Sequence, residues 1–222
     1  MLERFSKSYR IINKEKFVEK LINFSVDQDY FILLNSNNNS DKYDLLCGYG
    51  VKSFIKSSEN SLTKLDNFFE LKKDWLFGYM TYDLRNEIEV LNDDNIDFIN
   101  MPNLYFFQPE IVWFVKGKIV TGLSFEKDLI DNDWKKFNEI SEKEKTENSS
   151  IVKLNLRNSK SEYINKVNKI KERIFRGDCY EMNFCFDLFS EYDEINPYDT
   201  YVKLNNYTKS PMSSFLKVND LF

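Results

Sequence analysis

Residues 159–189 read SKSEYINKVNKIKERIFRGDCYEMNFCFDLF. Ser159 and Glu162 have the spacing of a capping box, in which each side chain bonds to the other's backbone N–H and starts a helix. Gly177 is the kind of residue that ends a helix in the left-handed conformation. Large apolar residues then alternate with other residues over 179–189, which is typical of a strand covered on one face. Between the cap and the glycine, one helix face carries Ile164, Val167, Ile170 and Ile174.

Outward from this stretch, further periodic segments predict short helices and strands. The helical segments are 13–24, 62–71, 131–140 and 196–207. The strand segments are 30–34, 43–49, 75–82, 104–107, 111–115, 119–123, 151–156 and 213–218. The first two strands flank a polar turn and predict a β-hairpin, and the three runs between 104 and 123 predict an antiparallel meander. The pattern indicates an α+β fold of mainly antiparallel sheets with flanking helices.

One segment is the best candidate for a linker or an exposed loop. Residues 141–150 read SEKEKTENSS and contain no apolar residue. We therefore place an internal boundary here, with one region over 1–150 and a second over 151–222.

Composition and charge exclude several classes of function. The 222 residues are 42% hydrophobic and 16% aromatic, which is enough for a packed core. The absence of His excludes Ser-His and Cys-His dyads and His-ligated metal sites within this chain. A net charge of −5 without a basic block argues against a nucleic-acid partner. The longest apolar runs, 30–34 and 111–115, are too short to span a membrane, so we expect a soluble, cytoplasmic protein.

The chemically active side chains are few, and each has a structural alternative. Asp83, Glu87 and Glu89 could bind a divalent cation, although acidic residues in a solvated first helical turn are the commoner case. Glu181 and Asn183 share one face of the predicted strand, which either lines a cleft or faces solvent. The three cysteines, at positions 47, 179 and 185, form no CxxC motif and are expected to be reduced core residues.

The segment from Arg176 to Cys185, RGDCYEMNFC, resembles the signature of chorismate-utilising enzymes, where GD-x-Y-[QE]-x-N follows an amphipathic helix. It is most similar to aminodeoxychorismate synthase component I, the large subunit of para-aminobenzoate synthase. Anthranilate synthase component I usually lacks the asparagine found here as Asn183. Three other segments resemble the family in the same order along the chain: 75–89 (WLFGYMTYDLRNEIE), 104–114 (LYFFQPEIVWF) and 209–220 (KSPMSSFLKVND).

The resemblance implies a fold, a reaction, a cofactor and partners. The fold is a two-sheet sandwich, and the reaction adds ammonia to chorismate, giving 4-amino-4-deoxychorismate for para-aminobenzoate and folate biosynthesis. A glutamine amidotransferase subunit, component II, supplies the ammonia, and Mg²⁺ neutralises the substrate carboxylate. The alternatives are anthranilate synthase component I or another chorismate-utilising enzyme, and a truncated non-catalytic module that binds tryptophan or the amidotransferase subunit.

The family segments that carry catalysis, with Lys-Gly-Thr and Gly-Ala-Pro-Lys motifs, do not occur in these residues. The resemblance therefore implies the N-terminal part of the enzyme. Residues 1–150 correspond to the anthranilate synthase component I-like N-terminal region, and 151–222 correspond to the start of the chorismate-binding region. We expect the catalytic residues and the Mg²⁺ ligands to lie outside this chain, and the chain alone to be inactive.

A tryptophan pocket is also implied by the resemblance, between the early hairpin and the segment near residue 212. The family motif LL-[EH]-S appears here with Ser36 matching and Asn35 departing, and Asn35 lacks the charge that would pair with an amino group. The candidate pocket residues are Ser36, Ser40, Asp41, Lys42, Tyr43, Pro211, Met212 and Ser213.

Overall fold

The computed structural model describes residues 3–89, 97–140, 152–191 and 195–222. Their contacts divide the chain into two compact units. The first unit comprises Met1–Glu142 and Pro197–Phe222, and the second comprises Lys143–Asn196. The predicted linker at 141–150 lies outside the described residues, and the division into two regions at residue 150 stays a prediction.

The described residues confirm the α+β class. The helices are α1 (Lys14–Phe24), α2 (Ser61–Lys72), α3 (Lys127–Glu139), α4 (Lys160–Phe175) and α5 (Pro197–Thr208). The strands are β1 (Phe5–Arg10), β2 (Tyr30–Asn35), β3 (Leu45–Tyr49), β4 (Ser53–Ser57), β5 (Phe77–Met80), β6 (Leu104–Gln108), β7 (Ile111–Lys116), β8 (Ile119–Ser124), β9 (Asn155–Leu156), β10 (Leu188–Phe189) and β11 (Ser213–Val218).

A six-stranded antiparallel sheet forms the centre of the first unit, in the order β1-β8-β7-β3-β2-β11. The predicted hairpin is confirmed, because β2 and β3 pair directly, from Phe31 opposite Tyr49 to Asn35 opposite Leu45. One face of the sheet packs against α1, α3 and α5 around the fully buried Trp113. The large buried area of such aromatic side chains is the main source of stability for this layer.

A three-stranded sheet, in the order β4-β6-β5, supplies a second layer. Its Phe77 and Phe107 pack with Ile32 and Val112 from the opposite face of the large sheet. The two sheets therefore lie face to face, as in the sandwich that the resemblance implies. Gly48 permits the close approach, because a Cβ at this position would lie 2.7 Å from the Phe77 ring.

The predicted meander between residues 104 and 123 is wrong in part. Strands β7 and β8 form a hairpin, but β6 pairs with β4 and β5 in the other sheet. The chain crosses between layers at Pro109 and Glu110, whose backbone C=O groups accept hydrogen bonds from the Arg4 side chain. Proline removes one ladder N–H and so favours such a change of sheet.

In the second unit, the predicted helix is confirmed as α4. Ser159 and Glu162 form the complete capping box, and Gly177 ends the helix with φ of +83°. The predicted strand over 179–189 is wrong, because only Leu188–Phe189 pairs, with Asn155–Leu156. Of the strand predicted at 151–156, Asn155–Leu156 is a strand in the structure. A strand needs hydrogen-bonding neighbours along its length, and the described residues of this unit supply two rungs.

No helix among the described residues is both long and apolar enough to cross a membrane.

Candidate functional site

The predicted pocket segments meet at one end of the six-stranded sheet. There the last residue of β2, Asn35, lies opposite the first residue of β11, Ser213. The Ser213 hydroxyl donates to the Tyr201 hydroxyl of α5 at 3.2 Å. Ser36 follows β2 and is fixed to the hairpin, since both its N–H and its hydroxyl donate to the Asp44 C=O, at 3.0 and 3.1 Å. The early hairpin and the start of β11 are therefore neighbours in the sheet, and the tryptophan pocket between them stays a prediction.

The hairpin loop is held by short-range hydrogen bonds. The Ser40 hydroxyl accepts from the N–H groups of Lys42 and Tyr43, at 3.3 and 3.4 Å. The Lys116 ammonium donates to the Ser40 C=O at 3.1 Å, which ties the loop to the end of β7. Asp41 is exposed, so this loop presents a charged rim to solvent.

An apolar strip runs across the sheet face that carries no helix. Leu34, Leu46 and Phe114 lie side by side in register across β2, β3 and β7. The Tyr43 ring extends the row, with its centroid 5.2 Å from that of Phe114 and 6.2 Å from that of Trp75. We call these five residues the apolar strip.

The apolar strip is open at its β2 end. Leu34 is 40% exposed, and its partner in β11, Ser214, is exposed as well. Pro211 and Met212 precede β11 and lie in solvent, with Met212 91% exposed. A flat apolar ligand could lie on such a strip, with polar contacts from the hairpin loop at its edge.

The acidic residues after β5 do not form a cation site. Both Glu87 carboxylate oxygens bond to Ser61, one to its N–H and one to its hydroxyl, each at 2.5 Å. Burial alone would raise the pKa of the Glu87 carboxyl, but the Ser61 hydrogen bonds outweigh it and lower the pKa. Glu87 therefore caps α2, while Asp83 and Glu89 are exposed. The described residues contain no group of three His, Cys, Asp or Glu that could hold a metal ion.

The predicted cleft residues lie in the second unit. Glu181 and Asn183 are both exposed in the irregular segment that follows α4. The strand face on which they were predicted to stand together is not formed there. The cysteine prediction holds for Cys47, which is fully buried, and is wrong for Cys185, which is exposed.

Besides the apolar strip, the first unit contains a polar cavity that was not predicted as a site. It lies in the first unit between α1, the hairpin tip and α5, with a volume of about 310 Å³. In its wall the side chains of Asn37 and Asn205 meet, where the Asn37 amide donates to the Asn205 amide oxygen at 2.8 Å. The run of asparagines at 37–39 was the available sequence signal, but asparagine is equally common in turns that bind nothing.

Comparisons with known proteins place the chain in a family. No curated protein matches it. The model of the family described as chorismate binding enzyme matches residues 24–221, which covers both the hairpin and the α4 segment. This chain belongs to the family of chorismate binding enzymes.

Proposed function

We propose that the chain is part of an aminodeoxychorismate synthase component I, which converts chorismate and ammonia to 4-amino-4-deoxychorismate. Family membership supports the use of chorismate. The finer assignment rests on one observation, the GDCYEMN motif from Gly177 to Asn183. Its asparagine distinguishes this branch from anthranilate synthase component I in the resemblance described above.

The geometry around this motif supports a binding role. Gly177 ends α4 in the left-handed region, and the Asp178 N–H closes the helix by donating to the Arg173 C=O at 3.0 Å. The motif thus leaves α4 at a defined point. Glu181 and Asn183 follow α4 and are both exposed, so a carboxylate and an amide are accessible to a substrate.

Mg²⁺ and a glutamine amidotransferase subunit belong to the proposal as its cofactor and partner. Chorismate is an anion, and a chain of net charge −5 needs a cation to bring such a substrate close to its own carboxylates. The described residues do not fit a Mg²⁺ site, because no three acidic or other ligating side chains meet among them. No step of the proposed reaction is therefore assigned to the ion on these residues.

The apolar strip supports the tryptophan pocket as a further part of the proposal. An indole ring could stack beside Tyr43 and Phe114, and Ser36 stands one residue beyond the end of β2. Asn35 is buried at 4% exposure on the opposite, helix-covered face of the sheet, where it lines the polar cavity, so it does not contribute to a ligand site on the strip.

Product analysis tests the proposed reaction. The complete enzyme of which we propose this chain to be a part is incubated with chorismate, ammonium and Mg²⁺, and the products are separated by liquid chromatography and identified by mass. Ammonia-dependent formation of 4-amino-4-deoxychorismate is expected. Formation of anthranilate in its place, or no consumption of chorismate, would contradict the proposal. Replacement of Asn183 by Ala, compared with Asn158→Ala in the same unit, tests whether the motif contributes.

A further inference from the structure

The polar cavity between α1, the hairpin tip and α5 has the size of a small-molecule site. Its volume of about 310 Å³ lies at the lower end of the range for ligand pockets, which begins near ~300 Å³. None of the predicted tryptophan-pocket residues lines it. The cavity lies beside Asn35 and Tyr201, which belong to the helix-covered side of the sheet, whereas the apolar strip occupies the opposite face.

The wall of this cavity is preformed by interlocked amides. Asn37 donates to the Asn205 side chain at 2.8 Å and to the Ser210 C=O at 2.7 Å, and Asn205 donates back to Asn37 at 3.4 Å. Asn35 accepts from the Asn37 N–H at 3.0 Å. Asn35 and Asn205 are 4% and 9% exposed. A wall that is ordered in advance lowers the entropy cost of binding.

The charged residues of the cavity include both signs. Glu15 and Glu19 stand one turn apart on α1, beside Lys14, and Lys209 follows α5. The Lys14 ammonium donates to the Asn38 side-chain oxygen. Within the described parts of the chain, the side chains of Glu15, Glu19 and Lys209 have no hydrogen bond or ion pair. Like charges at this spacing repel each other, and a ligand ammonium between the carboxylates would relieve that repulsion. Lys209 would then be available to a ligand carboxylate.

These features select one class of ligand. We infer that the cavity binds a free α-amino acid with a polar, amide-bearing side chain, whose ammonium pairs with the α1 carboxylates and whose carboxylate pairs with Lys209. The Asn206 amide can both donate to and accept from the side-chain amide, and the Asn38 NH2 group can donate to it while the Asn38 oxygen accepts from Lys14. An apolar side chain would offer those amides no hydrogen bond, and a phosphate lacks the ammonium that would pair with the α1 carboxylates. This inference does not depend on the reaction proposed above.

Calorimetric titration of the 222-residue protein with L-glutamine tests the inference. We expect saturable binding that falls at least about tenfold in both Glu19→Gln and Lys209→Gln, because each variant removes a charge-assisted hydrogen bond. The matched controls are Glu139→Gln and Lys203→Gln, which make the same charge changes at exposed positions of α3 and α5 outside the cavity. Far-UV circular dichroism verifies that every variant is folded.

Three analogues complete the test. N-acetyl-L-glutamine lacks the ammonium and L-glutaminamide lacks the carboxylate, so both are expected to bind at least about tenfold more weakly than L-glutamine. The affinity for L-tryptophan is expected to be the same in Glu19→Gln as in the unmodified protein. The inference is overturned if folded protein does not bind L-glutamine, if binding is unchanged in the two cavity variants, or if N-acetyl-L-glutamine and L-glutaminamide bind as well as L-glutamine does.

Discussion

Glu87 caps the amino end of α2 from 26 residues away, since its two carboxylate oxygens accept the backbone N–H and the hydroxyl of Ser61. Asn60, which precedes the helix, supplies no side-chain cap, so Glu87 takes over that role. Of the three acidic residues after β5, Glu87 therefore has a structural role. The cap also connects α2 to the segment between β5 and β6 of the three-stranded sheet.

Replacement of Glu87 by Gln is expected to lower the free energy of unfolding by about 1 kcal/mol, as loss of a helix cap does elsewhere. The amide can still accept one hydrogen bond but cannot accept both Ser61 donors. Urea denaturation measures the change. Glu89→Gln, which alters charge equally at an exposed position, should be close to neutral. Equal effects in both variants would show that charge matters here and the cap does not.

A buried ion pair connects Arg4, which precedes β1, to Asp74, which precedes β5 of the three-stranded sheet. Arg4 Nη2 lies 2.7 Å from Asp74 Oδ2, and both side chains are almost fully buried. The carboxylate also accepts from the Gln108 amide at 2.8 Å. Replacement of Asp74 by Asn leaves a buried guanidinium without its counter-charge, so we expect a loss of about 3 kcal/mol in unfolding free energy. Asp66→Asn, on the exposed side of α2, is the matched control.

The same carboxyl should make the protein sensitive to acid. Burial alone would raise the pKa of Asp74, but hydrogen bonds from Arg4 and Gln108 outweigh it and lower the pKa below its ordinary value of 3.8. The folded state then binds this proton more weakly than the unfolded state does. Its stabilisation is complete above the ordinary pKa and is lost as pH falls through the lowered one. Urea midpoints measured between about pH 6 and pH 3 should fall less steeply in Asp74→Asn than in the unmodified protein. Parallel curves for the two proteins would contradict this assignment.

A buried polar network joins β3, β7 and α3. The Tyr49 hydroxyl donates to Asp133 at 2.6 Å and accepts from the Trp113 indole N–H at 3.0 Å. Burial, followed by the nearby Asp133 carboxylate, raises the pKa of Tyr49, so the hydroxyl remains a donor. Tyr49→Phe leaves the buried Asp133 and Trp113 without this hydrogen-bond partner and should lower the free energy of unfolding by about 2–3 kcal/mol. Tyr207→Phe, at a residue that is 91% exposed, removes the same atom and should cost almost nothing.

Local patterns in the sequence were sufficient for much of this fold, and the failures have physical causes. The 30–49 hairpin follows from apolar runs on either side of a polar turn, and α4 follows from its capping box. Strand β1 was missed because it is mostly exposed and lacks an apolar period. The 179–189 pattern is a valid strand pattern, but pairing is non-local and the described residues supply partners for two positions. The Ser61–Glu87 cap likewise joins segments that no local pattern relates.

Tryptophan binding tests the apolar strip. If the indole ring stacks beside Tyr43, Tyr43→Ala should weaken binding at least about tenfold through lost aromatic contact area. The control is Tyr207→Ala, which removes an equally large ring from an exposed position of α5. Isothermal titration calorimetry with L-tryptophan provides the measurement. Equal affinity in both variants would place tryptophan elsewhere.

Chorismate turnover tests whether catalytic groups are present in the chain itself. The segments that the resemblance links to catalysis, with Lys-Gly-Thr and Gly-Ala-Pro-Lys motifs, do not occur in the 222 residues, and the described residues bring together no metal-ligating group of three. We therefore expect the purified 222-residue chain to consume no chorismate in the presence of ammonium and Mg²⁺. The complete enzyme of the proposal, assayed in parallel under the same conditions, serves as the positive control. Measurable ammonia-dependent turnover by the 222-residue chain would show that it contains the catalytic groups, and the assignment of catalysis to other residues would be wrong.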